Sequence, residues 1–397
     1  MVQYNYQWRI KKQKRVLKKR LFFYLRNTIS KYSPFYREWF KKHEIDVNDL
    51  FTFEDFQRIP PTTKELHLQN PKRFILQPYQ PGWWESTFQT DPLPRKTTFK
   101  YWLKSLHKTY LREVFSTERI TEEERIIMEA VNDWLPALFL STSSAQKPAL
   151  IAYTKYDLEK IVPELIGALF LSGFRPNWEI YNILSPEPTI AYFQNVWSPT
   201  TIGGGLYFAC DEEDTPLQKQ LQIASDITFE TFVGTPSLTK LWLEYAHKQI
   251  ENNEITPISS FKLCILTGET MNEKVKKEIK TLFQKIGSEP KILESYANNR
   301  ARAVFYECSE DSGIHLNPRY FYWEVLDQKT LEPVGESEKG LLAFSHIGWH
   351  GTAFIRYLTG DLVEGLTWEK CPSCDLVVPK IKGPIKRLEK KQLNKKK

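Results

Sequence analysis

The 397-residue sequence has no long apolar run, no internal repeat and too few cysteines for a disulfide framework. Each absence removes a class of protein. A membrane-spanning helix needs roughly 18 or more consecutive apolar residues, and the longest candidate here, residues 161–174, is interrupted by Glu164. No transmembrane segment is therefore expected. Five cysteines in so long a chain point to a reducing, cytoplasmic setting and not to a stapled secreted scaffold. The first residues carry Arg9, Lys11 and Lys12 without an apolar segment and a small-residue cleavage site, so no secretory signal is expected.

What is present is a large, aromatic-rich chain. Its length exceeds the usual single core, which predicts one multi-lobed domain or two to three domains. The net charge of +7 is concentrated at the ends, with eight Lys/Arg in residues 9–20 and seven in residues 386–397. Such runs attract anionic partners, but a solvated helix face and a polar tail account for them more simply, and no specific nucleic-acid partner is expected.

The chain is organised around residues 141–148, Ser-Thr-Ser-Ser-Ala-Gln-Lys-Pro, which lie between the apolar runs 134–140 and 149–153. The pattern reads as strand, polar loop, strand. Ser141, Thr142, Ser143, Ser144 and Lys147 give the loop hydroxyl, backbone and ammonium donors that can wrap a phosphate; a hydroxyl-rich hairpin turn is the alternative. Thr154 then offers an N-cap for a helix running to about residue 171, with Pro163 near its start. Further on, residues 179–184, 206–209, 231–234 and 261–266 read as strands. Helices follow over 218–224 and 238–252, and a third has Val275, Ile279, Leu282, Phe283 and Ile286 on one face. Alternating strands and helices predict an α/β domain with parallel strands, whose ligands sit at the carboxyl ends, where the loops at Gly234, Gly268 and Tyr296 are expected. After Cys308 the texture becomes β-rich, with strands over 320–326, 341–347 and 353–357. Residues 1–42 read as mostly helical, residues 77–98 as irregular, and residues 99–115 and 122–131 as helical.

Several segments in one order resemble the phenylacetate-CoA ligase branch of the adenylate-forming superfamily, which includes acyl-CoA synthetases, adenylation domains and luciferases. They are Tyr32-Ser33-Pro34-Phe35-Tyr36-Arg37, Ile59-Pro60-Pro61-Thr62-Thr63-Lys64, the loop 141–148 with Tyr153-Thr154 and Asp157-Leu158, Gly234-Thr235-Pro236-Ser237, Gly268-Glu269, Tyr296, Glu307-Cys308, and Arg356-Tyr357-Leu358-Thr359-Gly360-Asp361. The resemblance implies an α/β fold, an adenylate-forming N-terminal domain with parallel-sheet subdomains and a β-rich lobe, without the family's C-terminal lobe. It also implies AMP-forming activation of a carboxylic acid by ATP with Mg²⁺, then transfer to a thiol such as CoA.

On this resemblance Asp361 would hold the ribose, Gly268 and Glu269 would border the adenine or its phosphates, and Tyr296 would lie against the adenine. Lys147 and Arg356 are the catalytic candidates, and Arg387 resembles the family's hinge arginine. Gly234, Thr235, Pro236 and Ala297 would line the acid pocket. The expected divisions are a helical part over residues 1–130, an α/β nucleotide-binding core over 131–305, a β-rich lobe over 306–385 and a basic tail over 386–397. A separate protein supplying a C-terminal lobe or accepting the acyl group is a possible partner.

The sequence also departs from the branch. Ser143 and Gln146 stand where the family has phosphate-loop glycines, and Ala145 where it has a threonine. Arg300 stands where a Mg²⁺-holding glutamate is expected, with Glu294 and Glu307 as the other candidate carboxylates. These departures make a catalytically degenerate homologue, binding a nucleotide, an acyl group or a partner, the alternative reading. Independently, Cys308-x6-His315 and Cys371-x2-Cys374 supply four ligands suited to tetrahedral structural zinc. Cys210 and Cys264 read as core residues.

Overall fold

A computed structural model describes residues 6, 9–78, 133–141, 149–184, 190–209 and 216–388. Residues 142–148, the helices expected within 99–131, and Cys210 lie outside them.

The chain enters through α1 (Ile10–Tyr24), which continues through a short wider turn, followed by α2 (Pro34–Lys42), α3 (Phe53–Gln57) and α4 (Lys64–Gln69). Caps set these boundaries. Ser33 accepts the Tyr36 N–H ahead of Pro34, Thr52 and Asp55 form a reciprocal capping box, and Thr63 caps α4. The strands β1 (Pro136–Ser141) and β2 (Leu150–Thr154) form the expected hairpin, paired antiparallel with Ser141 opposite Leu150. Thr154 Oγ1 accepts the Asp157 N–H at 3.2 Å, and an irregular helix follows with α5 (Val162–Ile166) at its centre.

Next come β3 (Glu179–Asn182), α6 (Ile190–Ile202), β4 (Gly205–Phe208), α7 (Leu217–Asp226), β5 (Thr231–Gly234), α8 (Pro236–Glu251), β6 (Leu263–Leu266), α9 (Glu273–Ile286) and β7 (Lys291–Asn298). Five of these strands run parallel in the spatial order β7-β6-β5-β3-β4. Every residue of β5 and β6 is buried, as apolar runs covered on both faces require. Phe232, Trp242, Phe261 and Phe283 pack together beneath α8 and α9. Completely burying one such ring stabilises the fold by about 1.5–3 kcal/mol.

On the other side of β7 the large sheet continues antiparallel through β8 (Ala303–Tyr306) and β9 (Ile314–His315). A second sheet holds β10 (Phe321–Leu326), β11 (Gly340–His346) and β12 (Tyr357–Val363). The short β13 (Leu366–Thr367) and β14 (Lys380–Ile381) add to the large sheet beside β9, and β15 (Lys386–Arg387) pairs with β12. The observed architecture is the expected α/β class with a parallel core and a β-rich part.

Three local expectations are corrected. Residues 353–356 are not a strand: Ala353, Phe354 and Ile355 are a buried loop, and Arg356 has φ +47°, which interrupts extended pairing before β12 begins. Tyr296 is within β7 and not on a loop. The helix α6 was not anticipated; it contains Pro199 and shows little apolar asymmetry.

One non-local clamp matters for the site. Thr62 donates its N–H to the Arg356 carbonyl at 2.8 Å and accepts the Leu358 N–H at 2.9 Å, while its hydroxyl and that of Tyr36 hydrogen-bond at Ile355. The sequence's two N-terminal signature segments thereby hold the start of β12.

Candidate functional site

Asp361 lies near the middle of β12 and is 5% exposed. Its Oδ2 accepts the Tyr296 hydroxyl at 2.6 Å, and its Oδ1 accepts Arg387 Nη1 at 2.6 Å. Burial first, and the Asp361 charge second, raise the Tyr296 phenol well above its ordinary value, so it stays a donor. Asn298, two residues on, donates to the Tyr296 oxygen at 3.1 Å and accepts the backbone N–H groups of Arg300 and Ala301. Arg300 in turn donates Nε to His67 Nδ1 at 3.2 Å. Thus Arg387, Asp361, Tyr296, Asn298, Arg300 and His67 form one continuous hydrogen-bonded chain. Asn298 and His67 carry no motif; only the turn preference of asparagine at a strand end marks the first.

A second group sits at the carboxyl ends of the parallel strands. Thr235 caps α8 with Pro236 at its first position. Glu269 accepts the Ser237 N–H at 3.0 Å and the Ser237 hydroxyl. Gly268 has φ +83°, a backbone state that an L side chain strains. Gly234 leaves no room for a Cβ, which would meet Thr239 Oγ1 at 2.6 Å. The two groups are tied together: Thr267 bonds the Ser295 carbonyl at 3.4 Å, and Thr270 bonds the Ile385 carbonyl at 2.8 Å. Ala297 lines a narrow cavity of about 20 Å³ with Val233, Ile265, Thr267, Ser295 and Val304, room for about one water. Gly234, Thr235 and Pro236 do not line it.

Arg356, expected as a catalytic candidate, is brought to neither group. Its Nη1 donates to the carbonyls of Gln57 and Ile59 at 2.6 and 2.7 Å, and its Nε to Glu324 at 3.3 Å. It is a buried cross-link between the N-terminal helices and the second sheet. Ser141 ends β1; Thr142, Ser143, Ser144 and Lys147 lie outside the described residues.

The sequence analysis missed another buried arginine, Arg302. Its Nη1 donates to Asp157 at 3.2 Å and to the Ala152 carbonyl at 2.8 Å, and the guanidinium stacks 3.8 Å from the Trp349 ring centre. Asp157 also accepts the N–H groups of His350 and Gly351 at 2.8 Å each.

The Cys/His residues converge. Cys308 and Cys371 place their Sγ atoms 3.6 Å apart, Cys374 Sγ lies 3.3 Å from His315 Nε2, and the four ligand atoms all fall within 4.8 Å of one another. His315 Nδ1 lies 3.0 Å from the Gly313 carbonyl, which fixes that nitrogen as donor and leaves Nε2 for a ligand. Burial, then Lys380, holds the imidazole near pKa 4, so it is neutral. Cys264 is fully buried in β6.

No model of a protein family matches the chain. A phenylacetate-coenzyme A ligase of Thermus thermophilus is 25% identical over 241 residues, covering 58% of this chain and 50% of that protein. One from Escherichia coli is 21% identical over 233 residues, 56% and 50% of the two chains. Among solved structures, 2-hydroxyisobutyryl-CoA ligase in complex with 2-HIB-AMP and CoA shares the fold over 98% of this chain and 74% of its own, with TM-score 0.72 and 14% identity. The chain is therefore similar to phenylacetate-coenzyme A ligases over somewhat more than half of its length and shares the fold of a CoA ligase. It spans about half the length of the curated relatives it matches.

The resemblance to the phenylacetate-CoA ligase branch raises the expectation of Mg²⁺. Among the described residues no group of three Asp, Glu, His or Cys side chains gathers around Asp361 to hold the ion, and Arg300 brings a positive charge into the same hydrogen-bonded chain. Of the other two candidates, Glu307 accepts the Glu294 backbone N–H at 2.9 Å through its Oε2. Burial first, and the Glu307 charge second, raise the Glu294 carboxyl from 4.5 to about 7. An acid raised in the folded state binds its proton more tightly there than in the unfolded chain. Stability is then greatest below about pH 4.5 and falls as pH rises to about 7, from this group alone. Glu294→Gln should therefore raise the melting temperature at about pH 8 and leave it nearly unchanged at about pH 5, measured by thermal unfolding at the two values. Equal shifts at both would contradict this.

Proposed function

We propose that the chain activates a carboxylic acid: the carboxylate attacks the α-phosphorus of ATP, pyrophosphate leaves, and the acyl-adenylate passes its acyl group to a thiol such as CoA. The observation that carries this reading is the Tyr296–Asp361–Arg387 set beside the carboxyl ends of a parallel sheet. Asp361 is buried beside Arg387 and keeps oxygen lone pairs for ribose hydroxyls, so it binds and orients nucleotide without itself reacting. Gly268 and Glu269 border the same region, and Ala297, with Gly234, Thr235 and Pro236, is assigned to the acid. Lys147 and the hydroxyls of Ser141, Thr142, Ser143 and Ser144 are assigned to the triphosphate. Mg²⁺ arrives with the triphosphate in this reading, as it commonly does, and no step depends on a protein carboxylate holding it. The acyl acceptor, or a C-terminal lobe, is assigned to a partner protein where CoA does not serve. A cytoplasmic setting accords with unpaired thiols.

Cys308, His315, Cys371 and Cys374 fit a structural Zn²⁺ ion, since four protein ligands close a tetrahedral site and leave no open position for chemistry. The zinc would tie the loop between β13 and β14 to β8 and β9.

The alternative, a nucleotide- or acyl-binding homologue that no longer turns over, is favoured by Arg300 standing where the branch has a metal-holding carboxylate. ATP–pyrophosphate exchange across a panel of carboxylic acids separates the two. Acid-dependent exchange is expected, and Asp361→Ala should weaken nucleotide binding at least about tenfold, the scale of losing a charged hydrogen bond. Flat exchange by folded, nucleotide-binding protein would leave the binding reading; unchanged affinity in Asp361→Ala would refute the placement of the nucleotide.

A further inference from the structure

Among the described residues three arginines are almost fully inside: Arg300, Arg302 and Arg356 are 7%, 1% and 1% exposed. Two of them have a carboxylate. Arg302 pairs with Asp157 and Arg356 with Glu324. Arg300 has no carboxylate partner among the described residues. Its Nε donates to an imidazole nitrogen, its guanidinium lies 5.6 Å from the Tyr357 ring centre, and its Nη2 is buried without a hydrogen-bond partner. His67 cannot balance the charge, because burial first and Arg300 second hold the ring neutral. Glu65, on the same helix as His67, is exposed and makes no ion pair with Arg300. A buried cation left without a counter-ion is strongly unfavourable, which is why such groups are paired or meet a ligand.

The position is defined on three sides. Asn298 holds both the Arg300 backbone and the Tyr296 hydroxyl, and Tyr296 is bonded to Asp361. Tyr357, under the guanidinium, opens the strand that carries Asp361. His67 adjoins the Leu150 backbone, where β2 leaves the hydroxyl-rich loop. The unpartnered Nη2, over the residue that opens the Asp361 strand, is the donor an anion bound beside Asp361 would meet.

We infer that Arg300 is the binding residue for a phosphoryl oxyanion of the ligand, its guanidinium supplying the positive charge at the nucleotide's phosphate that the site's carboxylates do not recruit through a bound metal. This rests on the nucleotide reading proposed above and adds the residue that recognises the phosphate. His67 is a positioning residue: its Nδ1 accepts the Arg300 Nε–H and leaves the buried Nη2 as the unpartnered donor.

Calorimetric titration with AMP and adenosine, and melting curves with inorganic pyrophosphate, test this in the full chain. Wild-type protein should bind AMP at least about tenfold more tightly than adenosine, and Arg300→Gln should abolish that preference while leaving adenosine affinity within about twofold, since a charged hydrogen bond to phosphate is at stake. Arg300→Lys, which keeps the charge and loses the fork, should retain part of it. Without ligand, Arg300→Gln should melt no lower than wild type, because it removes an unbalanced charge. AMP preference intact in Arg300→Gln would overturn the inference. If neither AMP nor adenosine binds wild type, the nucleotide reading fails, and pyrophosphate then decides for Arg300 alone. Stabilisation lost in Arg300→Gln upholds the oxyanion site; no stabilisation of wild type overturns it.

Discussion

Asp157→Ala is expected to cost roughly 3–5 kcal/mol of stability, the range for breaking a buried ion pair by deleting one partner. Both side chains of the Asp157–Arg302 pair have no solvent exposure. Removing the carboxylate strands the Arg302 guanidinium, which burial already disfavours in its charged form, and it orphans the His350 and Gly351 N–H groups. Gly351 has no alternative geometry, since a Cβ there would meet the Ala152 carbonyl at 2.2 Å. Denaturant unfolding of Asp157→Ala, Arg302→Met and the double variant measures the pair. The double variant should lose less than the sum of the singles; strict additivity would mean the two groups do not act together.

Joint replacement of Cys371 and Cys374 by serine should abolish bound zinc and give the second large loss. A ligand present a thousandfold above its dissociation constant stabilises by about 4 kcal/mol, and chelation of wild-type protein should reproduce the same fall in melting temperature. Metal content by elemental analysis checks the ligand set, with Cys264→Ser as the control that retains one equivalent. Metal-free wild-type protein whose melting is indifferent to zinc would refute the assignment.

How far the sequence foretold this depended on whether the determining contacts are local. The strands at Phe232 and Ile265 were legible because doubly covered parallel strands are continuous apolar runs. The convergence of Cys371 and Cys374 with Cys308 and His315 was legible because two cysteines three residues apart form a unit of metal-site spacing. Tyr296 and Asp361 emerged only as parts of an ordered motif set, since nothing near either residue announces a partner 65 positions away. Asp157 stood in one of the motif segments, but its partner Arg302, 145 positions away, had no signature at all. The apolar run Ala353-Phe354-Ile355 misled because a buried loop and a strand have the same composition; the positive φ of Arg356 separates them. The partners of Arg356, Glu324 and two carbonyls of the N-terminal segment, are likewise remote in sequence and announced by no motif.

The clamp of Thr62 and Tyr36 on β12 has a kinetic consequence. Thr62 and Ile355 are 293 positions apart and Tyr36 and Ile355 are 319 apart, among the longest closures in the chain. Contacts of such separation form slowly, because loop entropy is lost before they contribute. The β5–α8–β6–α9 unit, whose contacts are close in sequence, should therefore acquire protection from hydrogen exchange early in refolding. The strand carrying Asp361 should follow only after residues 36–62 have docked.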